Sequence, residues 1–185
     1  ADFVLSKTPG NTVSNLSSTR ALRDVTNSHN GNYQASAIGE VNVVEKMKAT
    51  NAVIGGEGNG GVIYPELHYG RDALIGVALF LTQLAERRIS VKELRNSYPN
   101  YFISKNKIKL TPEIDVDAIL SLLAEKYKKE KITTIDGLKI DFAEGWVHLR
   151  KSNTEPIIRI YAESEGEEKA NELAINMINE IQELI

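Results

Sequence analysis

Four short runs of alternating residues, KITTID, LKIDF, WVHLR and PIIRIYAE, follow one another between residues 131 and 163, with an apolar-striped helix pattern on either side. Alternation sends successive side chains to opposite faces, so each run has one apolar and one polar face. The links are short, and Asp136-Gly137 and Glu144-Gly145 are hairpin turn signals. These runs therefore read as an antiparallel meander. The helix before it runs from about Thr111 to Lys129, with Pro112 in its first turn and Ile119, Leu122, Leu123 and Tyr127 facing inward. The helix after it places Ala170, Leu173, Ala174, Met177, Ile178, Ile181, Leu184 and Ile185 at helical spacing, and Ser164 with Glu167 reads as its capping box. A helix, a meander and a helix make a small α+β sandwich.

The first half has a different rhythm. NTVSNLS reads as a strand, STRALRDVTNSHN as a helix and polar turn, GNYQASAI as a strand, GEVNVVEKMKATN as a helix and AVIGG as a strand. Strands alternating with helices at this spacing indicate a parallel or mixed sheet with crossovers. The glycine-dense segment EGNGGVIYPELHYGR follows, then a helix from about Asp72 to Arg88 with Asp72 placed to cap it. That helix is apolar nearly all round and is expected to be deeply buried. A short helix in SVKELRNSYPNY and a turn at Pro99 close this half, so the boundary falls there. With 185 residues and 42% hydrophobic content, the chain has material for two small cores. A net charge of -3 provides no field for a polyanion. Cys is absent, which excludes disulfides and thiolate sites and leaves the compartment open. No apolar run approaches a membrane span, the opening ADFVLSKTPGN does not read as a signal peptide, and the missing initiator Met suggests an excised fragment.

The residues richest in chemistry are RKSNTEPIIR, 150 to 159. Val147 and Leu149 share one strand face, while Trp146, His148 and Arg150 share the other. On the return strand Ile158, Ile160 and Ala162 make the apolar face and Arg159 points away. Both arginines thus lie on the non-core side of one hairpin, around a polar loop from Lys151 to Glu155 that Pro156 closes. Guanidinium forks, an ammonium, two hydroxyls, an amide and free loop N–H groups are what a phosphate dianion requires. Residue types alone fit a merely solvated hairpin tip equally well.

This segment resembles the phosphate-binding loop in the last domain of the α-D-phosphohexomutases, the phosphoglucomutase and phosphomannomutase family, over Arg150, Ser152, Asn153, Thr154, Glu155, Pro156 and Arg159. GGEGNGGVIYP, residues 55 to 65, is weak as a bare glycine-rich strand-to-helix turn and does not fit G-x-G-x-x-G. It is similar to the sugar-binding loop of the family's third domain. The resemblance implies a three-layer α/β/α domain with a mixed sheet over residues 1–99 and an α+β domain of the TATA-binding-protein type over 100–185. It implies a cytoplasmic isomerase, an intramolecular phosphotransferase and phosphoprotein. Such an enzyme interconverts hexose 1-phosphate and hexose 6-phosphate through a phosphoserine and a hexose 1,6-bisphosphate. The phosphoserine and the Mg²⁺ loop would belong to N-terminal domains outside this sequence, so the chain alone is expected to be inactive. Within that scheme Arg150, Ser152, Asn153, Thr154 and Arg159 hold the non-reacting phosphate, Glu57 and Asn59 hold two adjacent sugar hydroxyls, and Arg20 is a further substrate contact.

Departures from the family pattern bear on the chemistry. Gly61 stands where many members carry a His, which leaves His68 as the weak acid–base candidate. Asn27 to Asn30, NSHN, echoes the phosphoserine loop but reads as a helix-to-strand turn. Asp115 to Asp117 reads as a helix start and lacks the metal pattern D-x-D-x-D-R. Ser18 or Thr19 reads as an N-cap, and His148 as a satisfied surface residue. Glucose, mannose and glucosamine phosphates are not distinguished, so phosphoglucosamine mutase is one alternative. The other is a stand-alone phosphate- or nucleic-acid-binding module, against whose nucleic-acid form the acidic net charge argues.

Overall fold

The computed structural model describes residues 1–111, 114–152 and 155–185. The roles expected of Pro112, Asn153 and Thr154 lie outside the described residues. The chain divides into two compact units, Ala1–Asn100 and Tyr101–Ile185.

In the first unit, β1 (Asn11–Asn15), α2 (Ala21–Ser28), β2 (Tyr33–Ser36), α3 (Glu40–Thr50) and β3 (Ala52–Gly56) follow α1 (Asp2–Lys7). β1 pairs in parallel with both β2 and β3, and β4 (Val62–Ile63) adds to β3 antiparallel, giving the order β2-β1-β3-β4. The two crossover helices lie on opposite faces. α3 seals one through Val43 and Met47 against Val13, Ala52 and Ile63, while Thr26 of α2 bonds Thr12 on the other, Oγ1 to Oγ1 at 2.6 Å. With α1 and α4 (Ala73–Arg87) also on the second face, the layers are helix, mixed sheet, helix. Of residues 27 to 30, expected as a turn, Asn27 and Ser28 are the last residues of α2 and the turn itself is His29 and Asn30. There Ser28 Oγ donates to the Val25 carbonyl and Asn30 is left-handed at φ 58°.

Deep burial expected of α4 does not occur. Leu74, Val77 and Leu81 are more than half exposed, and only Gln83 of the helix is fully buried. A cavity of about 280 Å³, lined by Val4, Leu22, Ile54 and Leu79 among others, separates the helix from the sheet. Polar fastenings hold it instead. Asp72 caps Leu74 and Ile75, and the Asp2 carboxylate collects Gln83, Arg87, Tyr98 and His29 at 2.7–2.9 Å. An all-round apolar sequence says that a helix has surface to hide, not that this chain hides it. α5 (Val91–Asn96), with a Ser90–Glu93 capping box, ends the unit.

The second unit is an antiparallel sheet of β5 (Phe102–Lys109), β6 (Lys131–Thr133), β7 (Leu138–Asp141), β8 (Gly145–Lys151) and β9 (Ile157–Ser164), ordered β5-β9-β8-β7-β6. α6 (Val116–Lys126) and α7 (Glu167–Glu183) cover one face. Their Ile119, Leu123, Ala174, Met177 and Ile181 pack on Leu138, Ile140, Val147, Leu149, Ile158 and Ile160. Three local expectations are corrected. α6 starts at Val116 rather than near Thr111, because Asp115 caps it by accepting from the Ala118 N–H at 3.1 Å. Leu122 is exposed, since the inward stripe runs through Ile119 and Leu123. Ser164 does not cap α7: it is the buried last residue of β9, its hydroxyl donates to the Glu144 carbonyl at 2.8 Å, and Gly166 is the N-cap.

Candidate functional site

In the second unit the hairpin β8–β9 places Arg150 directly opposite Arg159. Both lie on the face away from the helices, with Trp146, His148 and Tyr161 further along it. Arg150 Nη1 is 4.0 Å from Asp136 Oδ2, and Arg159 Nη2 is 3.1 Å from Glu155 Oε2. Neither contact is a tight bidentate pair, so both guanidiniums keep donors for another acceptor. Ser152 is buried, and its backbone N–H donates to the Ile157 carbonyl at 3.0 Å, closing the loop neck. Lys151 pairs with Ile158 and so takes the helix-side face; it does not join the arginines, contrary to expectation.

The turn between β6 and β7 buttresses this hairpin. His148 is not a surface residue: it is buried, and its Nε2 donates to the Asp136 carbonyl at 2.7 Å. Burial pushes the imidazole down to about 4, so it is neutral in the fold and that hydrogen bond fixes the tautomer. Gly137 follows with φ +73°, packed so closely that a Cβ there would meet the Leu149 carbonyl oxygen at 2.1 Å. Thus one turn touches β8 at three successive residues, His148, Leu149 and Arg150. On the same face Lys139 stacks 4.2 Å from the Trp146 ring centroid, and Trp146 Nε1 donates to Glu163 at 2.7 Å.

In the first unit residues 57–61 form the tip of the antiparallel hairpin β3–β4, rather than the strand-to-helix turn expected. The Glu57 N–H donates to the Gly61 carbonyl at 2.9 Å, and Gly60 takes φ +92°, which favours a residue without Cβ. Glu57 has a side chain only 6% exposed. Its Oε1 accepts from Asn15 Nδ2 at 3.0 Å and its Oε2 lies 3.3 Å from Arg71 Nη1. A carboxylate has about four acceptor positions, so both oxygens retain capacity, held in one orientation. Asn59 Oδ1 accepts from the Gly61 N–H at 3.1 Å, which leaves its NH₂ and one oxygen lone pair to offer.

Arg71 carries this arrangement and escaped the sequence reading. It also donates to Glu40 through its backbone N–H at 3.0 Å and its Nε at 2.8 Å, tying the loop to the start of α3. The backbone donor and then the guanidinium hold the Glu40 carboxyl below its ordinary range. Arg71 stands 14 residues from Glu57 and 31 from Glu40, so no local spacing flags it. His68 accepts from the Gly70 N–H at Nδ1 and donates from Nε2 to Asp72 at 3.2 Å; both nitrogens are engaged within its own loop. Arg20 is buried at the N-cap of α2. There Thr19 Oγ1 accepts from the Ala21 N–H at 3.2 Å, while Ser18 Oγ donates to Asn15 Oδ1. Among the described residues no group of His, Asp or Glu side chains could hold a metal ion.

Comparison with known proteins gives one family for both units. Residues 1–101 match the phosphoglucomutase/phosphomannomutase alpha/beta/alpha domain III, and residues 106–180 match the C-terminal domain of the same family. The chain is 36% identical over 175 residues to the phosphoglucosamine/phosphogalactosamine mutase of Sulfurisphaera tokodaii, covering 94% of the chain and 38% of that relative. It is 37% identical over 186 residues to a phosphoglucomutase/phosphomannomutase of Thermococcus kodakarensis, covering 97% and 40%. In fold it resembles a phosphoglucomutase/phosphomannomutase family protein of Burkholderia thailandensis, with a TM-score of 0.79 at 23% identity over 98% of this chain and 39% of that one. The chain therefore spans about two fifths of the length of these relatives.

Proposed function

This chain belongs to the phosphoglucomutase/phosphomannomutase family, and from that premise we propose that it is the substrate-gripping part of a hexose-phosphate mutase. The whole enzyme would interconvert hexose 1-phosphate and hexose 6-phosphate by way of a phosphoserine and a hexose 1,6-bisphosphate, with the serine and the Mg²⁺ ligands outside these residues. Arg150 and Arg159, with Ser152, Asn153 and Thr154 of the loop, hold the phosphate that is not reacting. Glu57 and Asn59 hold adjacent hydroxyls of the ring, and Arg20 is a further contact. The observation that carries this reading is the pairing of Arg150 with Arg159 on the helix-free face. Like charges directly opposed across strands destabilise a sheet, whereas two forks aimed from neighbouring strands can share the three oxygens of one dianion.

Each binding group must serve both ends of the reaction. After the first transfer the bisphosphate turns end over end while the protein stays in place. Ring hydroxyls near the turning axis return to about the same position, and a carboxylate can accept from either of them. Relatives of this chain carry names for glucose, mannose, glucosamine and galactosamine phosphates, and the same hydroxyl contacts serve glucose and mannose alike. The test is turnover by the full-length protein, given Mg²⁺ and a hexose 1,6-bisphosphate, across glucose, mannose and glucosamine 1-phosphates. Formation of the 6-phosphate from at least one of them is expected, and from none of them by the 185-residue chain alone. Turnover by the isolated chain, or none by the full-length protein with any of the three, contradicts the reading.

A further inference from the structure

The helix-free face of the second sheet carries a third cation in line with the two arginines. In register, Lys107 of β5 lies opposite Arg159, and Arg159 lies opposite Arg150, so three cationic residues stand abreast on three adjacent strands. Strands lie about 4.8 Å apart, so the three Cα atoms span roughly 10 Å. Alternation puts Lys105 and Lys109 on the same face of β5, and the Lys105 ammonium sits 5.5 Å from the Tyr161 ring. Among the described residues, the carboxylates within 4.0 Å of this row are Asp136 at Arg150 and Glu155 at Arg159. Lys107 is exposed and makes neither hydrogen bond nor ion pair among the described residues.

Two explanations compete for such a row. β5 is an edge strand, and lysines on an edge discourage pairing with another chain. That purpose requires charge somewhere on β5 but not in register with two arginines, where it adds repulsion. We infer that Lys107 is a third member of the anion site on the β8–β9 hairpin, contacting the phosphate of a hexose phosphate from the edge strand. This rests on the reading of that hairpin as the phosphate site. The division of labour follows from the side chains: the planar guanidiniums set the orientation of the oxygens, and the ammonium adds a mobile point charge. Lys105 and Lys109 extend the positive field along β5, where they would draw the dianion in.

The test compares Lys107→Ala, Lys107→Arg and Lys107→Glu in the full-length protein, with Arg150→Ala as reference and Lys129→Ala, outside the strands of the same unit, as control. Measured are kcat and KM for hexose 1-phosphate, and the rise in Tm produced by inorganic phosphate. Lys107→Ala is expected to raise KM about three- to tenfold, as befits a half-screened ionic contact, with kcat little changed. Lys107→Arg should restore KM and Lys107→Glu should raise it further. Removing one of three aligned charges should leave the phosphate-free Tm unchanged or higher while shrinking the phosphate-induced rise, a pattern that a purely structural lysine would not produce. If Arg150→Ala raises KM but Lys107→Ala behaves like Lys129→Ala in both measurements, Lys107 is an edge guard and the inference fails alone. If Arg150→Ala leaves KM unmoved, the phosphate reading of the hairpin fails and Lys107 falls with it.

Discussion

Gly137→Ala isolates the buttress beneath Arg150, because the substitution removes no side chain that a ligand could contact. Two costs add. The residue sits at φ +73°, where an L side chain costs about 1–2 kcal/mol. Its new Cβ would lie 2.1 Å from the Leu149 carbonyl oxygen and 3.1 Å from Arg150 Cα, so turn and strand must separate by about 1 Å, a strain of roughly 1–3 kcal/mol. The sum is about 2–5 kcal/mol in a unit of 85 residues. At about 4–8 °C per kcal/mol for a domain of that size, the Tm of this unit should fall by at least about 8 °C. Separation at that point also moves Arg150, so KM for hexose phosphate should rise in protein that is still folded at the assay temperature. Differential scanning calorimetry and steady-state kinetics on the full-length variant measure both. A fall of less than about 2 °C with KM unchanged would mean that the turn moves independently of β8, and the buttress would be refuted.

Three further outcomes follow from the geometry. Glu57→Gln keeps the loop's shape but weakens acceptance from both hydroxyls, so forward and reverse kcat/KM should fall by similar factors and more bisphosphate should escape. A loss confined to one direction would remove Glu57 from the ring. Arg71→Gln frees one oxygen of Glu57 and removes the side-chain part of the link to Glu40 while the backbone donor stays, and should raise KM roughly three- to tenfold with partial rescue by Arg71→Lys; KM like that of the parent would make Arg71 a bystander. His148 should titrate near 4 by NMR. Because the unfolded imidazole takes its proton near 6.5 and the buried one resists, its contribution is whole above about pH 6.5 and is lost as pH falls towards about 4, by at most about 3 kcal/mol. A midpoint above 6 would show that the ring is not buried as described.

The parts of the fold that declared themselves in the sequence are those with an unbroken period. Alternation in WVHLR and PIIRIYAE placed both arginines on one face, and the register bears this out. The stripe from Ala170 likewise gave α7 its inner side as far as Ile181, whereas Leu184 and Ile185, expected to continue it, lie past the helix and are exposed. Errors arose where a local pattern had two readings. Ser164 and Glu167 have the spacing of a capping box, but β9 continues through Ser164 and its hydroxyl is taken by Glu144. α4 is apolar on every side, and nothing within it says which side is covered. What lay beyond the sequence was long-range pairing. Arg71 meets Glu57 and Glu40 only once β4 and α3 are in place. The alternation KNKIK was open to view, but Lys107 acquires meaning only when β5 is aligned on β9. His148 sits on the face that should be wet, and its burial has no local signal.

The proposed hold of the β8–β9 hairpin on a phosphate can be tested without turnover. The full-length protein is treated briefly with an arginine-selective dicarbonyl, with and without saturating hexose 6-phosphate, and modification is quantified by peptide mass spectrometry. Arg150 and Arg159 should react in the free protein and be protected together by the ligand, while Arg88 and Arg95 of the first unit react equally in both samples. Protection should be reproduced by inorganic phosphate at higher concentration and should be absent with the unphosphorylated hexose. Equal modification of Arg150 and Arg159 with and without saturating hexose 6-phosphate would mean that this hairpin does not hold the phosphate.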